Sequence, residues 1–255
     1  MISWIAPFVL ILMLGGCADS DPDHTSTELI VSVAASLREV ATELAELYME
    51  ANPRVVIHTN VGASGALQQQ ILNGAEVDIF IPAATRPMRE LAAAGLVDTA
   101  SIRVFARNRL VLIAPLADDQ PISDFADLTT PAVGRLALGT PSSVPAGTYA
   151  EEALRRLGLW EAVLPKAVFG SSVRQVLTYV ELGEVDAGLV YRTDAAASSR
   201  VRIVATVPMD LGIEYPAALV AGSTRENAAR EYLHFILGDH GRAVLRRHGF
   251  EVPDA

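Results

Sequence analysis

Continuous apolar runs along this chain alternate with stretches in which apolar residues recur every three or four positions. Val31 to Ala34 reads as a buried strand. Leu37, Val40, Ala41, Leu44, Leu47 and Tyr48 then repeat at helical spacing and stop before Asn52-Pro53. Val55 to Thr59 reads as a second strand, Leu67 to Leu72 as the start of a helix stopped by Asn73-Gly74, and Val77 to Ile81 as a third strand. Met88 to Ala94 is a short helix closed by Gly95. This alternation predicts a parallel sheet with helices on both faces.

After a strand at Leu110 to Ala114 and a polar loop from Asp118 to Asp127, the series begins again at Leu136. It runs strand, helix (Ala146 to Leu157, closed by Gly158), strand (Val168, Phe169), helix (Val173 to Leu182, closed by Gly183) and strand (Ala187 to Tyr191). Gly74-Ala-Glu-Val-Asp78 and Gly183-Glu-Val-Asp186 match in type and place, as two similar lobes would require. Val201 to Val207 and Ala217 to Val220 are further strands. Ser223-Thr-Arg-Glu226 reads as a capping box for a helix reaching about Leu237, and Arg242 to His248 as a last helix. Two lobes crossed by extended strands leave a cleft between them. The expected lobes are 29–108 with 217–255, and 109–216.

In four places an apolar run breaks into small residues and opens a helix: Leu29 to Leu37, Val55 to Leu67, Leu136 to Gly147 and Ala167 to Gln175. A helix start offers backbone N–H groups without intrahelical partners, and Ser hydroxyls beside them add donors. In open α/β sheets ligands bind beyond the carboxyl ends of the strands, where all four turns fall. Ser36 sits at the first turn, with Glu39 placed for a reciprocal cap. Ser64 has glycines at Gly62 and Gly65 on either side, which permit close backbone approach to a ligand. Pro145 suits a first helical position and leaves the Ala146 and Gly147 amides bare. Ser171 and Ser172 precede Val173, and Ser172 with Gln175 is a possible cap. Tyr191 ends a buried strand and carries a hydroxyl that can donate into a cleft. Apart from Glu39 the four turns hold no carboxylate, so the pocket they imply is lined by donors without acceptors. It suits a fully deprotonated oxyanion and suits hydrogen phosphate poorly. No donor in it titrates near neutrality, so affinity is expected to be flat between about pH 6 and 8.

Composition narrows the partners. The 255-residue chain is 51% hydrophobic and 20% charged, as a well-buried globular protein is, with a net charge of −10. Its basic residues are scattered without interleaved aromatics, which argues against nucleic acid. Any anion is then held by local dipoles and hydroxyls, not drawn in by global charge. The five histidines have no metal spacing, and the single cysteine excludes an intramolecular disulfide. That cysteine, Cys17, follows the apolar run Ile2 to Leu14 and the residues Gly15-Gly16. The run is too short to span a bilayer and reads as a signal-peptide core. Leu14-Gly-Gly-Cys17 resembles a bacterial lipoprotein box. It predicts a signal peptide over 1–16, a lipidated Cys17 and a polar tether over 17–28, hence an exported periplasmic or cell-surface protein held at the membrane.

Several segments resemble the periplasmic molybdate-binding proteins of ABC importers. They are Ala34-Ala-Ser36-Leu37, Gly62-Ala-Ser64-Gly-Ala-Leu67, Val77-Asp-Ile-Phe-Ile81, Leu110-Val-Leu-Ile-Ala-Pro115, Ser143-Val-Pro-Ala-Gly-Thr-Tyr-Ala150, Val173-Arg174, Gly188-Leu-Val-Tyr191 and Tyr232 to Phe250. The resemblance spans nearly the whole mature chain. It implies a two-lobed type II periplasmic-binding-protein fold of the α/β class, each lobe a mainly parallel sheet flanked by helices. It implies that Ser36, Ser64, the Ala146 and Val173 amides and the Tyr191 hydroxyl bind molybdate or tungstate with no direct protein–metal bond. A membrane permease is the implied partner, and a monomer without cofactor or enzymatic activity the implied form. The chain departs from the family pattern at Ser171-Ser172 and at Thr140-Pro-Ser-Ser143. Other readings are a receptor for this or another oxyanion such as sulfate, and a serine hydrolase in which Gly62-Ala-Ser64-Gly-Ala66 stands one residue from a nucleophile elbow.

Overall fold

The computed structural model describes residues 26–116 and 122–253. The expected signal peptide and Cys17 lie outside these residues, as does most of the tether. In chain order the strands are β1 (Thr27–Ala34), β2 (Val55–Gly62), β3 (Ile79–Ile81), β4 (Arg103–Arg107), β5 (Leu110–Pro115), β6 (Leu136–Gly139), β7 (Ala167–Gly170), β8 (Ala187–Tyr191), β9 (Val201–Thr206) and β10 (Glu214–Leu219). The helices are α1 (Arg38–Ala51), α2 (Ser64–Leu72), α3 (Thr85–Ala93), α4 (Pro145–Arg156), α5 (Trp160–Val163), α6 (Val173–Glu181), α7 (Arg192–Ala196), α8 (Glu226–Leu237) and α9 (Asp239–Arg247).

The strands form two five-stranded sheets, ordered β2-β1-β3-β10-β4 and β7-β6-β8-β5-β9. Three parallel strands in each are followed by one reversed strand, β10 in the first sheet and β5 in the second. The sheets are therefore mixed, and each reversed strand arrives from the other half of the chain. The two crossings run between β4 and β5 and between β9 and β10. Central strands covered by helices on both faces should be apolar throughout. Every residue of β6 and β8 is buried, as are Leu110 to Ala114 of β5. Helix α1 buries Val40, Ala41, Leu44, Ala45 and Tyr48 at helical spacing, and full burial of one such large side chain is worth about 1.5–3 kcal/mol.

The paired phrases noted in the sequence do the same work in each half. Gly74 (φ 84°) and Gly183 (φ 66°) take the left-handed conformation that ends α2 and α6. The aspartate that follows each then bonds backbone amides of the middle one of the three parallel strands, within β1 in the first sheet and just before β6 in the second. Asp78 is fully buried, and its carboxylate accepts from the Ile30 amide at 2.7 Å. The Asp186 carboxylate accepts from the Gly134 and Arg135 amides at 2.7 and 2.8 Å. Such charge-assisted bonds contribute about 1.5–3 kcal/mol each.

Several boundaries differ from expectation. Thr27 and Glu28, expected in the tether, already pair with Val55 and Val56. The lobe boundary expected between 216 and 217 falls inside β10, because a register shift at Tyr215/Pro216 admits the proline into the sheet. The capping box at Ser223 does not form. The buried Asp78 carboxylate takes the Ser223 hydroxyl instead, and Arg225 is the residue at the helix start. Strand β4 and the short helices α5 and α7 were not anticipated.

Candidate oxyanion-binding site

The carboxyl ends of β1, β2, β6, β7 and β8 converge where the two sheets face each other. Ser36, Ser64, Ala146, Val173 and Tyr191, taken from five different turns, all line one cavity of about 10 Å³. That is the space of roughly a single water molecule, so the lobes are closed on each other. The closure includes a backbone bond between lobes, from the Gly65 amide to the Ser143 carbonyl at 3.0 Å. A larger open groove of about 830 Å³ runs beside the crossings, between Arg107 and Glu214, and shares none of these residues. Convergence of donors, not size, marks the site.

Each position has a local cause. A one-turn 3-10 helix, Ala35–Leu37, follows β1 and holds Ser36 inward, 4% exposed. Because α1 begins only at Arg38, Ser36 is not the capping residue and makes no cap bond. Its Oγ lies 3.2 Å from the Tyr215 Oη instead. Glu39 likewise leaves its own helix and pairs with Arg174 of α6, across the cleft. The expected Ser36–Glu39 cap is thus replaced by two contacts that reach other elements.

Ser64 is the first residue of α2 and is 1% exposed. Its Oγ accepts from the Ala83 amide at 2.9 Å. The bond takes one of its two lone pairs and leaves its own proton available to the cavity. Gly65 next to it serves the lobe contact and not ligand approach: a Cβ there would meet the Ser143 carbonyl oxygen at 2.7 Å.

In the second half Pro145 occupies the first turn of α4, as expected. Gly147 lets this helix press against the end of β6, since a Cβ would come within 2.0 Å of the Gly139 carbonyl oxygen. The close approach carries the Ala146 amide to the cavity. Ser172 caps α6, its Oγ accepting from the Gln175 amide at 3.2 Å, which places Val173 at the first helical position. The amides of Ala146 and Val173 stand in first turns, where no intrahelical acceptor exists. Tyr191 ends β8, and its hydroxyl is 3.5 Å from the Ala83 carbonyl, too long for a strong bond. Burial pushes that hydroxyl well above its ordinary pKa, so it remains a donor.

No imidazole and no carboxylate lines the cavity. Ser64 therefore has no general base within the cavity lining. That arrangement does not support a hydrolase. One buried carboxylate does stand behind the lining, and no local pattern marks it. Asp194 of α7 is fully buried, with Oδ1 3.0 Å from Arg174 Nε. The two face each other as an ion pair without hydrogen-bond alignment, and both Asp194 oxygens lack a hydrogen-bond partner. Burial pushes the Asp194 carboxyl up to about 7, against the pull of Arg174. Arg174 thus links this carboxylate to Glu39 on the opposite lobe. Tyr215 and Asn108, which sit behind Ser36 and Tyr191, were also missed. The only signals for them are weak: an Asn between two arginines ahead of an apolar strand, and a Tyr beside a proline that masks its strand.

Two lobes joined by crossing strands, with helix starts and hydroxyls pointed into the cleft, define a type II periplasmic-binding-protein architecture. Residues 29–251 match the family of bacterial extracellular solute-binding proteins, and the chain belongs to it. It is 36% identical to the "Putative ABC transporter substrate-binding lipoprotein YvgL" of Bacillus subtilis, over 97% of this chain and 96% of that protein. It is 35% identical to the molybdate-binding protein ModA of Haemophilus influenzae, over 89% of this chain and 91% of that one. Among solved structures it resembles the "substrate binding domain of putative molybdenum ABC transporter from Clostridium difficile", with 35% identity and a TM-score of 0.69. That match covers 90% of this chain and 100% of the other.

Proposed function

We propose that this protein captures molybdate, or the isosteric tungstate, for an ABC importer. Ser36, Ser64 and Tyr191 supply hydroxyl protons, and Ala146 and Val173 supply backbone N–H groups. The observation that carries this reading is the scarcity of acceptors at the site. One lone pair of the Ser64 oxygen is taken by the Ala83 amide, and no carboxylate or imidazole lines the cavity. Such a site rewards an anion that only accepts, and it penalises one that must donate a proton. The likeness to ModA and YvgL supports the same ligand class and a membrane permease as partner. The name of YvgL also supports a lipid anchor at Cys17 and a position outside the cytoplasmic membrane. Sulfate, which is tetrahedral and fully ionised too, is the second reading; the donor pattern favours it as well as molybdate. Calorimetric titration of the mature protein with molybdate, tungstate, sulfate and phosphate tests both. Tight binding of the first two with sulfate and phosphate far weaker is expected. Sulfate binding as tight as molybdate would transfer the assignment.

A further inference from the structure

A hydroxyl can donate or accept, so a donor-only site needs something that decides which way each hydroxyl points. For Ser64 the Ala83 amide decides. For Ser36 the decision comes from deeper in the protein. Asn108 lies in the two-residue link between β4 and β5, at one of the crossings. Its Oδ1 accepts from the Arg109 amide at 2.9 Å. A backbone amide can only donate, so this contact fixes the orientation of the Asn108 side chain and turns its NH₂ inward. That NH₂ donates to Thr193 Oγ1 at 2.8 Å and to Tyr215 Oη at 3.3 Å. Tyr215 Oη in turn lies 3.2 Å from Ser36 Oγ, a contact in which either hydroxyl can donate, and it is also hydrogen-bonded to the Tyr191 hydroxyl, which can donate to it.

We propose that Asn108 and Tyr215 form a polarised relay that makes Ser36 a proton donor to the bound anion. Asn108 donates to Tyr215, Tyr215 donates to Ser36, and Ser36 is left with its own proton directed at the ligand. Burial shields the links, because Asn108 is 8% exposed, Tyr215 0% and Ser36 4%, and little water is at hand to replace one. Burial also pushes the Tyr215 hydroxyl above its ordinary pKa and keeps it protonated. The packing holds the chain of oxygens in place: the Tyr215 ring meets Tyr191 and Phe250 edge-on, with centroids 5.8 and 5.5 Å away. Tyr215 and Asn108 are positioning residues in this account and do not touch the ligand. Their effect is on selectivity. With Ser36 locked as a donor, a protonated oxyanion finds no acceptor at that corner of the cavity. Without the relay the Ser36 oxygen is free to accept.

This inference rests on the oxyanion reading above, and the experiment separates the two. Molybdate affinity, and competition by inorganic phosphate, are measured by calorimetry for the wild type, Tyr215→Phe and Asn108→Ala. Tyr232→Phe is the control, since that tyrosine packs against Tyr48 away from the cavity. Thermal melts establish that each variant is folded. Tyr215→Phe should bind molybdate roughly tenfold more weakly, the worth of one hydrogen bond in an anion site. Phosphate should compete better in it than in the wild type, so the preference between the two anions shrinks by more than the loss for molybdate alone. Asn108→Ala should move in the same direction, and Tyr232→Phe should match the wild type. A uniform loss for both anions, or an unchanged preference, would overturn the relay while leaving the binding site intact. A wild type that binds no oxyanion would remove the site reading and the relay together.

Discussion

Gly65 of one lobe and Ser143 of the other are joined backbone to backbone, amide to carbonyl, at 3.0 Å. The bond lies at the lip of the donor-lined cavity, and only a glycine fits there, because a Cβ would sit 2.7 Å from the Ser143 oxygen. Closure of the lobes therefore has a steric gate of one methyl group.

Gly65→Ala should block that closure without harming the fold. Gly65 lies in the first turn of α2, and alanine is the better helix former by about 1 kcal/mol. The unliganded melting temperature should stay level or rise slightly. Ligand affinity should fall by roughly tenfold to a hundredfold, the equivalent of about 1–3 kcal/mol of overpacking. Small-angle scattering with saturating molybdate would report the closure directly. A variant that closes and binds like the wild type would show that the lobes meet elsewhere.

Tyr191→Phe and Ser64→Ala should separate binding from stability. Each removes a hydroxyl donor worth about 1.5–3 kcal/mol to an anion, so each should weaken binding about tenfold to a hundredfold. Tyr191→Phe removes a 3.5 Å contact to the Ala83 carbonyl and a hydroxyl contact to Tyr215, orphans no backbone amide, and should lose less stability than Ser64→Ala. Ser64→Ala orphans the buried Ala83 amide and should also lose about 1–3 kcal/mol of folding stability. Paired titrations and denaturant melts check both. Equal stability losses in the two variants would contradict this geometry.

Membrane anchoring has its own test. Cys17, at the end of the N-terminal apolar run, is the proposed lipidation site. Stable residence needs more than one acyl chain, so the effect of losing the cysteine should be complete. Cys17→Ser should move the protein from the membrane fraction to the soluble fraction with its anion affinity intact. A wild-type protein that is already soluble, with no lipid in its mass, would refute the anchor.

The architecture was legible because its signals are local. Strand and helix periods, and the glycines that stop α2 and α6, lie within a few residues of the elements they define. The repeated Gly…Val-Asp phrase pointed to the two halves, and each aspartate now has the same backbone partner role. What was not legible is long-range. Glu39 has the spacing of a helix cap, yet it pairs with Arg174, 135 residues away. Ser36 meets Tyr215, 179 residues on. Pro216 hid the start of β10, since a register shift is invisible in a linear pattern. Local spacing pointed to the candidate donors; the partners of Ser36 and Glu39 lie far along the chain and leave no local pattern.

Asp194 gives the protein a pH response, in place of the flat one that the turns alone implied. Burial raises its carboxyl to about 7, while in the unfolded chain it titrates near about 3.9. Between these values the unfolded chain has released the proton and the folded protein still holds it. The raised pKa therefore contributes stability that is fully present below about pH 4, declines through about pH 4 to 7 and is gone above that, on the order of 4 kcal/mol in all. Binding has the same sign. Asp194 raises the pKa of Tyr191 and Tyr215, so its charge is felt at the cavity wall. An ionised Asp194 also opposes a dianion there. Molybdate affinity should thus rise modestly as pH falls from about 8 to 6, a range over which the anion itself stays fully ionised. Asp194→Asn should abolish both slopes, leaving Arg174 paired with Glu39 alone. Denaturant titrations at several pH values give the first slope, and calorimetry gives the second. A wild type flat in both, indistinguishable from Asp194→Asn, would mean that Arg174 holds Asp194 ionised throughout and that the site answers only to its hydroxyl and amide donors.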